Sequence, residues 1–401
     1  MCDLIREVAR LKQRLCLVGP GFLFMSGISV YTWTLIRALA VDFDVSVLLL
    51  RRLMPRRLYP GGGRVGAPLS SLHYGGVPHF DGIDWFWGVS LIRGLRFFLG
   101  QRADGLVLQW WTGAVGHTYV LLALLARARR IPVFIEIHEV QDPGEAGRPI
   151  AKRYGRLVLR LLLRLSSGVL VHHEHDRRLL LSAGVDLAGK TVAVAPHGPY
   201  GHLVSVPPVA PPEFADDALG DDVQNCCSIL LFGVVRPYKG LEDVVAAFDA
   251  LPRAVAERLV LTVVGETWEG WTLPLDWLEK SRHRDRVRIV NRYVTDAEAA
   301  FVFGETNVLV LPYRRVSSSG PLHIAMAQGL DVIMTDLPAL RSVAEGYAGA
   351  EFVPVGSVEA LTAALERAAH RPARRSQPTG DWTRNVEAYH QLLAREHERR
   401  M

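Results

Sequence analysis

The chain has 401 residues, of which 49% are hydrophobic and 22% are charged. This length is too great for one ordinary core and predicts two domains, and the composition excludes an intrinsically disordered chain. No apolar run reaches the ~18 residues of a membrane-spanning helix, and residues 1–14 are charged where a signal peptide would be apolar.

The formal charge of +5 is distributed unevenly along the chain. Residues 1–205 hold 25 Lys and Arg against 14 Asp and Glu, net +11, whereas the remainder is net −6. A basic half predicts a surface that meets something anionic, such as the phosphates of a substrate or an anionic membrane. The chain shows no recognised nucleic-acid-binding motif, so we expect no nucleic-acid partner.

The first half of the chain alternates apolar strands with helical stretches. The first strand breaks at Gly19-Pro20-Gly21, and a helix is expected over 29–40. Residues 51–84 are rich in glycine and proline and predict a long loop. Near-continuous apolar strands favour a parallel sheet covered on both faces, and we expect them at 14–18, 45–50, 105–108, 133–137, 168–171 and 191–194.

A change of composition separates the two halves. Residues 205–227 are rich in proline and aspartate, which is typical of a linker. A second α/β run then follows, and a last helix is expected over 382–398 after a polar break. We expect the strands of this second run at 228–232, 259–265, 287–291, 308–312 and 332–335.

Arg236 and Lys239 form the first candidate anion site. Both follow the strand at 228–232, in the turn Arg-x-x-Lys-Gly that ends at Gly240. An arginine offers a planar fork to phosphate oxygens, and a lysine offers a compact point charge. The alternative is a pair of solvated cations in a surface turn.

A serine-glycine turn forms the second candidate anion site. It follows the strand at 308–312, and Pro321 then stands at a first helical position, where its missing N–H costs nothing. Hydroxyls, backbone N–H groups and the helix dipole converge at such a turn. An ordinary serine cap is the alternative for these residues, which are Ser318, Ser319 and Gly320.

The order strand, Arg-x-x-Lys-Gly, helix and then strand, Ser-Gly, helix resembles the C-terminal half of the family 4 glycosyltransferases. The resemblance extends over nearly the whole chain and implies the α/β GT-B fold, with two Rossmann-like doubly wound domains facing a cleft. Residues 1–204 would bind the acceptor and 228–375 the nucleotide-sugar donor, and 376–401 would return as a helix to the N-terminal domain. Retention of anomeric configuration is implied, with the nucleotide sugar as substrate and no cofactor.

The resemblance also implies roles for individual residues. Gly27 would be the glycine of a turn near the diphosphate and the acceptor. His138, which precedes Glu139 at the end of the strand at 133–137, would contact the transferred sugar, although a core or cap histidine is the alternative. His197 would have a hinge or cleft role. The diphosphate would be held, and its departure assisted, by Arg236, Lys239, Ser318, Ser319, Gly320 and Leu322.

The chain departs from the family pattern in one respect. Many members carry two glutamates around the Ser-Gly turn, and here the corresponding positions fall near Val316 and at Ile324. The spacing matches instead a branch that reads Ser-Gly-x-Leu. Glu242 or Glu266 are candidates to replace the missing carboxylates. This departure keeps open a non-catalytic nucleotide-sugar-binding protein, and a sugar-nucleotide epimerase on the same fold is a further alternative.

Two groups of metal-ligand residue types occur in the sequence. The segment at 172–175, His-His-Glu-His, looks like a metal cluster, but adjacent histidines on one element point apart. The four cysteines show no metal-ligand spacing and are expected to be reduced thiols of a cytoplasmic protein. We therefore predict no metal site and an activity that survives a chelator.

Two helical stretches bear on the acceptor. Apolar residues at 91, 92, 95, 98 and 99 form a helical stripe, and Arg156, Arg160 and Arg164 recur along a leucine-rich helix. Such helices are typical of a membrane interface or, alternatively, of an ordinary surface helix with its apolar side in the core. The acceptor would accordingly be a lipid-linked glycan at the inner membrane face, or a small natural product for a soluble enzyme.

Overall fold

The computed structural model describes residues 12–21, 27–52, 72–138, 149–182, 185–215, 226–267, 271–316, 319–372, 374–378 and 381–399. The chain divides into two compact units. The first unit comprises Met1–His197 and Trp382–Met401, and the second comprises Gly198–Asp381.

The first unit is built on a seven-stranded parallel sheet. Its strand order is β3-β2-β1-β4-β5-β6-β7. The strands after β1 first extend the sheet towards one edge, to β3, and then, from β4, which pairs with β1, towards the other edge. The strands are β1 (Arg14–Pro20), β2 (Asp44–Arg52), β3 (His79–Asp84), β4 (Gly105–Trp110), β5 (Val133–Ile137), β6 (Gly168–Val171) and β7 (Thr191–Val194). The helices are α1 (Gly27–Leu39), α2 (Gly88–Gly100), α3 (Gly116–Ala128), α4 (Pro149–Leu165) and α5 (Glu174–Ser182).

The second unit repeats this architecture with six parallel strands in the order β10-β9-β8-β11-β12-β13. The strands are β8 (Cys227–Phe232), β9 (Leu259–Val264), β10 (Val287–Val290), β11 (Val308–Leu311), β12 (Asp331–Thr335) and β13 (Ala350–Val353). The helices are α6 (Leu241–Asp249), α7 (Arg253–Ala256), α8 (Leu273–Glu279), α9 (Asp296–Glu305), α10 (Gly320–Ala327), α11 (Pro338–Val343) and α12 (Val358–His370). The last helix, α13 (Thr383–Glu398), belongs to the first unit.

The central strands are apolar because both faces of each sheet are covered by helices. Every residue of β4, β5, β9 and β11 is buried, as expected for parallel strands. The helix α13 covers part of the first sheet, where Leu392 and Leu393 lie against Gly168 and Gly105. In open sheets of this kind ligands bind at the carboxyl ends of the strands, and those ends carry the predicted site residues.

The predicted and observed strands agree at most positions, and β5, β6 and β7 agree residue for residue. The prediction of an unbroken loop over 51–84 is wrong, because β2 extends to Arg52 and β3 occupies His79–Asp84. This edge strand reads His-Phe-Asp-Gly-Ile-Asp and has no apolar run to reveal it. The short edge strand β13 was also not predicted. Residues 53–71 lie outside the described residues.

The apolar stripe of α2 faces the protein interior. Phe98 is fully buried, and Leu95 and Leu99 pack against the same core. The interpretation of this stripe as a membrane face is therefore wrong, although Ile92 is exposed. Among the helices of the described residues, none combines the length and the apolar character required to cross a bilayer.

Candidate active site

The turn after β8 is shaped by two glycines. Gly233 follows the strand with φ of 94°, and Gly265, with φ of 142°, follows the neighbouring strand β9. A Cβ on Gly265 would overlap the carbonyl oxygen of Gly233. The two strand ends can approach this closely only because Gly265 lacks a side chain. The chain then enters a short 3₁₀ helix at Pro237–Lys239.

Lys239 is the buried cation of this turn. Its ammonium donates a hydrogen bond to the Phe232 carbonyl oxygen at 3.2 Å and lies 5.5 Å from the ring centroid of Tyr313. A Cβ on Gly233 would be 2.9 Å from that ammonium and 4.0 Å from Cγ of Pro321, so the cation and the start of α10 flank the same glycine. The structure thus brings the two predicted anion sites together.

Arg236 begins the same turn with an extended backbone and is half-buried. The two acids that follow, Glu242 and Asp243, pair instead with Arg314, at 2.6 and 3.1 Å. Glu242 is therefore an ion-pair residue of the first turn of α6. Glu266, the other candidate to replace the missing carboxylates, lies beside this turn, where its carbonyl accepts from the Val235 N–H at 2.9 Å.

Ser319 is the N-cap of α10. Its hydroxyl accepts from the Leu322 N–H at 3.4 Å, and its carbonyl accepts from the His323 N–H at 3.3 Å. Pro321 has no N–H, so Gly320 supplies the remaining first-turn amide that could reach a phosphate. The serine cap and the anion site are thus compatible at this turn. The Leu322 side chain is fully buried, so only the backbone of this residue could contact a donor.

The structure describes Gly27 of the remaining predicted residues and does not describe Ser318. Gly27 is the first residue of α1, and a Cβ there would meet no described atom within 4 Å, so packing among the described residues does not require a glycine. Ser318 lies outside the described residues, as does Glu139 after His138.

His138 belongs to a cluster of three histidines at the carboxyl ends of β5, β6 and β7. This histidine cluster consists of His138, His172 and His197, whose ring centroids are 4.0 to 5.5 Å apart. One ring nitrogen of each lies within 4.8 Å of the others. Tyr31 packs on all three rings. The ring of His172 thus packs against histidine rings that follow the neighbouring strands, and the segment at 172–175 does not form the cluster by itself. The prediction of no metal site stays a prediction.

Hydrogen bonds fix two of these rings. His172 donates through Nδ1 to the Ala195 carbonyl at 3.0 Å, and its Nε2 lies 3.2 Å from Nδ1 of His138. Burial lowers the pKa of His172 to about 3, so this ring is neutral. The Nε2 of His138 faces Oε2 of Glu136 at 3.6 Å.

Glu136 is a fully buried carboxylate that the sequence analysis did not identify. Oε1 accepts from the Tyr31 hydroxyl at 2.5 Å, and Oε2 accepts from the Gln109 side-chain amide at 2.9 Å. Burial alone would raise the pKa of Glu136, but His138, His172 and Tyr31 together lower it to about 2. A glutamate inside an otherwise apolar strand, two residues before a candidate histidine, is the signal that could have revealed it.

Both glycines of the Gly19-x-Gly21 pattern are explained by packing, and a Cβ on Gly21 would overlap the Leu50 carbonyl oxygen. A Cβ on Gly19 would overlap Oε1 of Gln109, the oxygen that accepts from Thr32 at 2.6 Å. Gly19 makes room for the amide that supports Glu136, so the pattern is a packing feature within this unit.

Two family models match the chain. The model described as a glycosyl transferase 4-like domain matches residues 26–197, and the model described as glycosyl transferases group 1 matches residues 227–371. The chain belongs to the group 1 glycosyltransferases. This glycosyltransferase therefore uses a nucleotide sugar as donor, and the two matched ranges correspond to the two α/β units. No curated protein sequence matched the chain.

Solved structures show the same fold at low sequence identity. A sucrose-phosphate synthase from Thermosynechococcus elongatus has a TM-score of 0.54 at 17% identity, covering 96% of this glycosyltransferase and 98% of that chain. HepE from Anabaena, in complex with UDP, has a TM-score of 0.60 at 12% identity over 96% and 95% of the two chains. An alpha,alpha-trehalose-phosphate synthase (UDP-forming) from Burkholderia vietnamiensis has a TM-score of 0.55 at 13% identity over 96% and 93%. These likenesses identify the GT-B fold.

Proposed function

We propose that the second unit holds the diphosphate of the sugar nucleotide at the turn of Arg236 and Lys239 and at the first turn of α10. The observation that carries this proposal is the position of the Lys239 ammonium beside Gly233, flanked by Pro321 at the start of that helix. A buried cation next to a helix N-terminus supplies positive potential from two sources. Neither source needs a metal or another cofactor.

The donor we propose is a uridine diphosphate sugar. HepE was crystallised with UDP, and the Burkholderia synthase is described as UDP-forming. Both share the fold of this chain. In the proposed reaction His138 lies at the transferred sugar, Arg236 and Lys239 neutralise the departing UDP, and the anomeric configuration is retained.

A ligand screen tests the proposed donor. Thermal stability of the full chain would be measured with UDP, GDP, ADP and CDP, because a ligand at 100 times its dissociation constant stabilises the folded state by about 2.7 kcal/mol. UDP is expected to raise the melting temperature most. UDP-sugars would then be assayed for UDP release with and without acceptors. A chain stabilised by none of the diphosphates would contradict the proposal, and stabilisation without release would favour a non-catalytic binding protein.

We further propose that the first unit docks on an anionic membrane through α4. Ile150, Tyr154, Leu157 and Leu161 are exposed and spaced at i, i+4, i+7 and i+11, so they form one ridge on the solvent side of this helix. The opposite side packs into the core through Val158, Leu159, Leu162 and Leu163.

Four arginines complete this surface. They are exposed and lie along one flank of the ridge, at Arg153, Arg156, Arg160 and Arg164. Apolar side chains beside cations fit an interface with anionic lipid, to which each arginine contributes about 1 kcal/mol. The acceptor consistent with this surface is a lipid-linked glycan. A soluble small-molecule acceptor is the alternative, and sedimentation with lipid vesicles separates the two.

A further inference from the structure

The carboxyl ends of three neighbouring strands bring three histidine rings to one place in the first unit. His138 follows β5 directly, His172 follows β6 directly, and His197 comes three residues after β7. One ring nitrogen of each lies within 4.8 Å of those of the other two. Imidazole nitrogens are common ligands of transition-metal ions, so a group of this kind is a candidate metal site.

The distance between two of these rings matches that between two ligands of one ion. Nε2 of His172 and Nδ1 of His138 are 3.2 Å apart. Two nitrogens that bind one Zn²⁺ at about 2.0–2.1 Å in a tetrahedral arrangement are about 3.4 Å from each other. A hydrogen bond between the two rings fits the same distance. The third ring therefore decides between these two interpretations.

His197 supplies the third ring. It meets His172 and His138 edge to face, with ring centroids 4.0 and 5.5 Å apart, and the centroids of His138 and His172 are 4.6 Å apart. Imidazole rings that share one ion have centroids about 4.5–5 Å apart. The three observed distances lie on both sides of this range, so small side-chain rotations bring all three nitrogens to one ion. A hydrogen bond between His138 and His172 requires no third histidine.

The ring of His172 is oriented as a metal ligand. Its Nδ1 donates to the Ala195 carbonyl at 3.0 Å, which directs Nε2 towards the other rings. Metal-binding histidines almost always donate their second ring N–H to a carbonyl or a carboxylate in this way. Burial also keeps the ring neutral, because it lowers the pKa of His172 to about 3, and a metal binds the neutral form. Tyr31 packs against all three rings and restricts their motion.

We propose that His138, His172 and His197 form a three-histidine site for Zn²⁺. Imidazole nitrogens suit Zn²⁺, whereas Mg²⁺ and Ca²⁺ take oxygen ligands. A zinc ion with three protein ligands keeps a fourth position for water or another small ligand. The ion connects the carboxyl ends of β5, β6 and β7 and fixes the orientation of the His138 ring.

The sequence-based prediction of no metal site is the alternative. That prediction rests on the segment at 172–175, whereas the proposed site takes one ligand, His172, from this segment. His138 lies 34 residues before it, and His197 comes from a further strand end. The proposed site goes beyond the proposed function and does not rest on it. Its three ligands belong to the first unit, whereas the contacts to the diphosphate are assigned to the second.

The zinc content of the full chain, produced without a histidine tag, tests the proposal without turnover. The chain would be stripped with EDTA, incubated with excess Zn²⁺, freed of unbound metal and analysed by mass spectrometry of the element. About one zinc ion per chain is expected. His172→Gln and, separately, His197→Gln should each lower the zinc affinity by about tenfold or more. His175→Gln, at an exposed histidine of the same segment, is the matched control and should retain the ion.

X-ray absorption at the zinc edge of the unmodified chain gives a second readout that depends on no variant. Imidazole nitrogens at about 2.0–2.1 Å are expected around the ion. A chain that retains no zinc, equal zinc affinity in His172→Gln and the unmodified chain, or sulfur ligands at about 2.3 Å would each overturn the proposal. If the histidines bind zinc and no UDP-sugar is turned over, the proposed function fails and this inference stands. Turnover of a UDP-sugar by a chain that takes up no zinc would have the opposite meaning.

Discussion

Gly240 and Pro312 approach so closely that a Cβ on Gly240 would overlap the Pro312 carbonyl oxygen. Gly240 also has φ of 68°, in the left-handed region that favours glycine. This contact fixes the turn of Arg236 and Lys239 against the end of β11. The position of the predicted diphosphate site therefore depends on the fit of a glycine against the backbone of Pro312.

Gly240→Ala should destabilise the chain by about 2–4 kcal/mol and weaken UDP binding, because both the backbone conformation and the overlap oppose a methyl group. Urea unfolding and calorimetric titration with UDP measure the two effects. Gly356→Ala is the matched control, since Gly356 has φ of 74° and no atom within 4 Å of its Cβ. This control should cost about 1–2 kcal/mol and leave UDP binding unchanged. Equal losses in both variants would mean that the Pro312 contact is unimportant.

His138→Ala should lower turnover about 100-fold, the usual cost of removing a preorganised group at the reacting centre, and should change UDP affinity little. The reason is that His138 is assigned to the sugar and Lys239 to the diphosphate. Steady-state kinetics and titration with UDP separate the two quantities. His397→Ala, an exposed histidine of the same unit, is the control. Equal loss of turnover and of UDP affinity would move His138 to a structural role.

The strands other than β3 and β13 were predictable because their apolar runs are local in the sequence. The turns of Lys239 and Ser319 were predictable for the same reason, since each follows its strand directly. The network around Glu136 was not, because Tyr31, Gln109 and Asn385 come from α1, β4 and α13, far apart in the sequence. For the stripe of α2 the sequence left a membrane face and a core face as alternatives, because periodicity shows that a helix has an apolar side and does not show which surface that side meets. The structure confirms the core face.

Membrane attachment should depend on both parts of the α4 surface. The unmodified chain is expected to sediment with anionic vesicles and not with neutral ones, and less at high salt. Ile150→Ser with Leu157→Ser, and separately Arg156/Arg160/Arg164→Glu, should each reduce sedimentation. Leu124→Ser removes a comparably exposed leucine from α3 and should have no effect. A chain that stays in the supernatant with every vesicle would favour the soluble transferase of a small natural product.

Buried histidines should make folding stability depend on pH. Burial lowers the pKa of His202 to about 4, below its value of about 6.5 in an unfolded chain. The unfolded state therefore binds more protons between these values, and this stability is lost as the pH falls from about 6.5 to about 4.

In His202→Leu the free energy of unfolding should fall less steeply with decreasing pH than in the unmodified chain, by about 1 kcal/mol per pH unit. Urea unfolding at pH 7, 6 and 5 measures it. His175→Leu, at an exposed histidine, is the control and should follow the unmodified chain. Parallel pH curves for His202→Leu and the unmodified chain would contradict the assignment.

The binding of UDP to the second unit, measured by calorimetric titration, tests the assignment of the diphosphate site most directly. Arg236→Ala with Lys239→Ala should lose charge-assisted contacts of about 1.5–3 kcal/mol each, which is at least a 100-fold rise in Kd. Lys280→Ala with Arg282→Ala removes the same charge from exposed positions of the same unit and should leave Kd within about twofold. An unchanged Kd in the Arg236 and Lys239 variant would contradict the assignment of the diphosphate site.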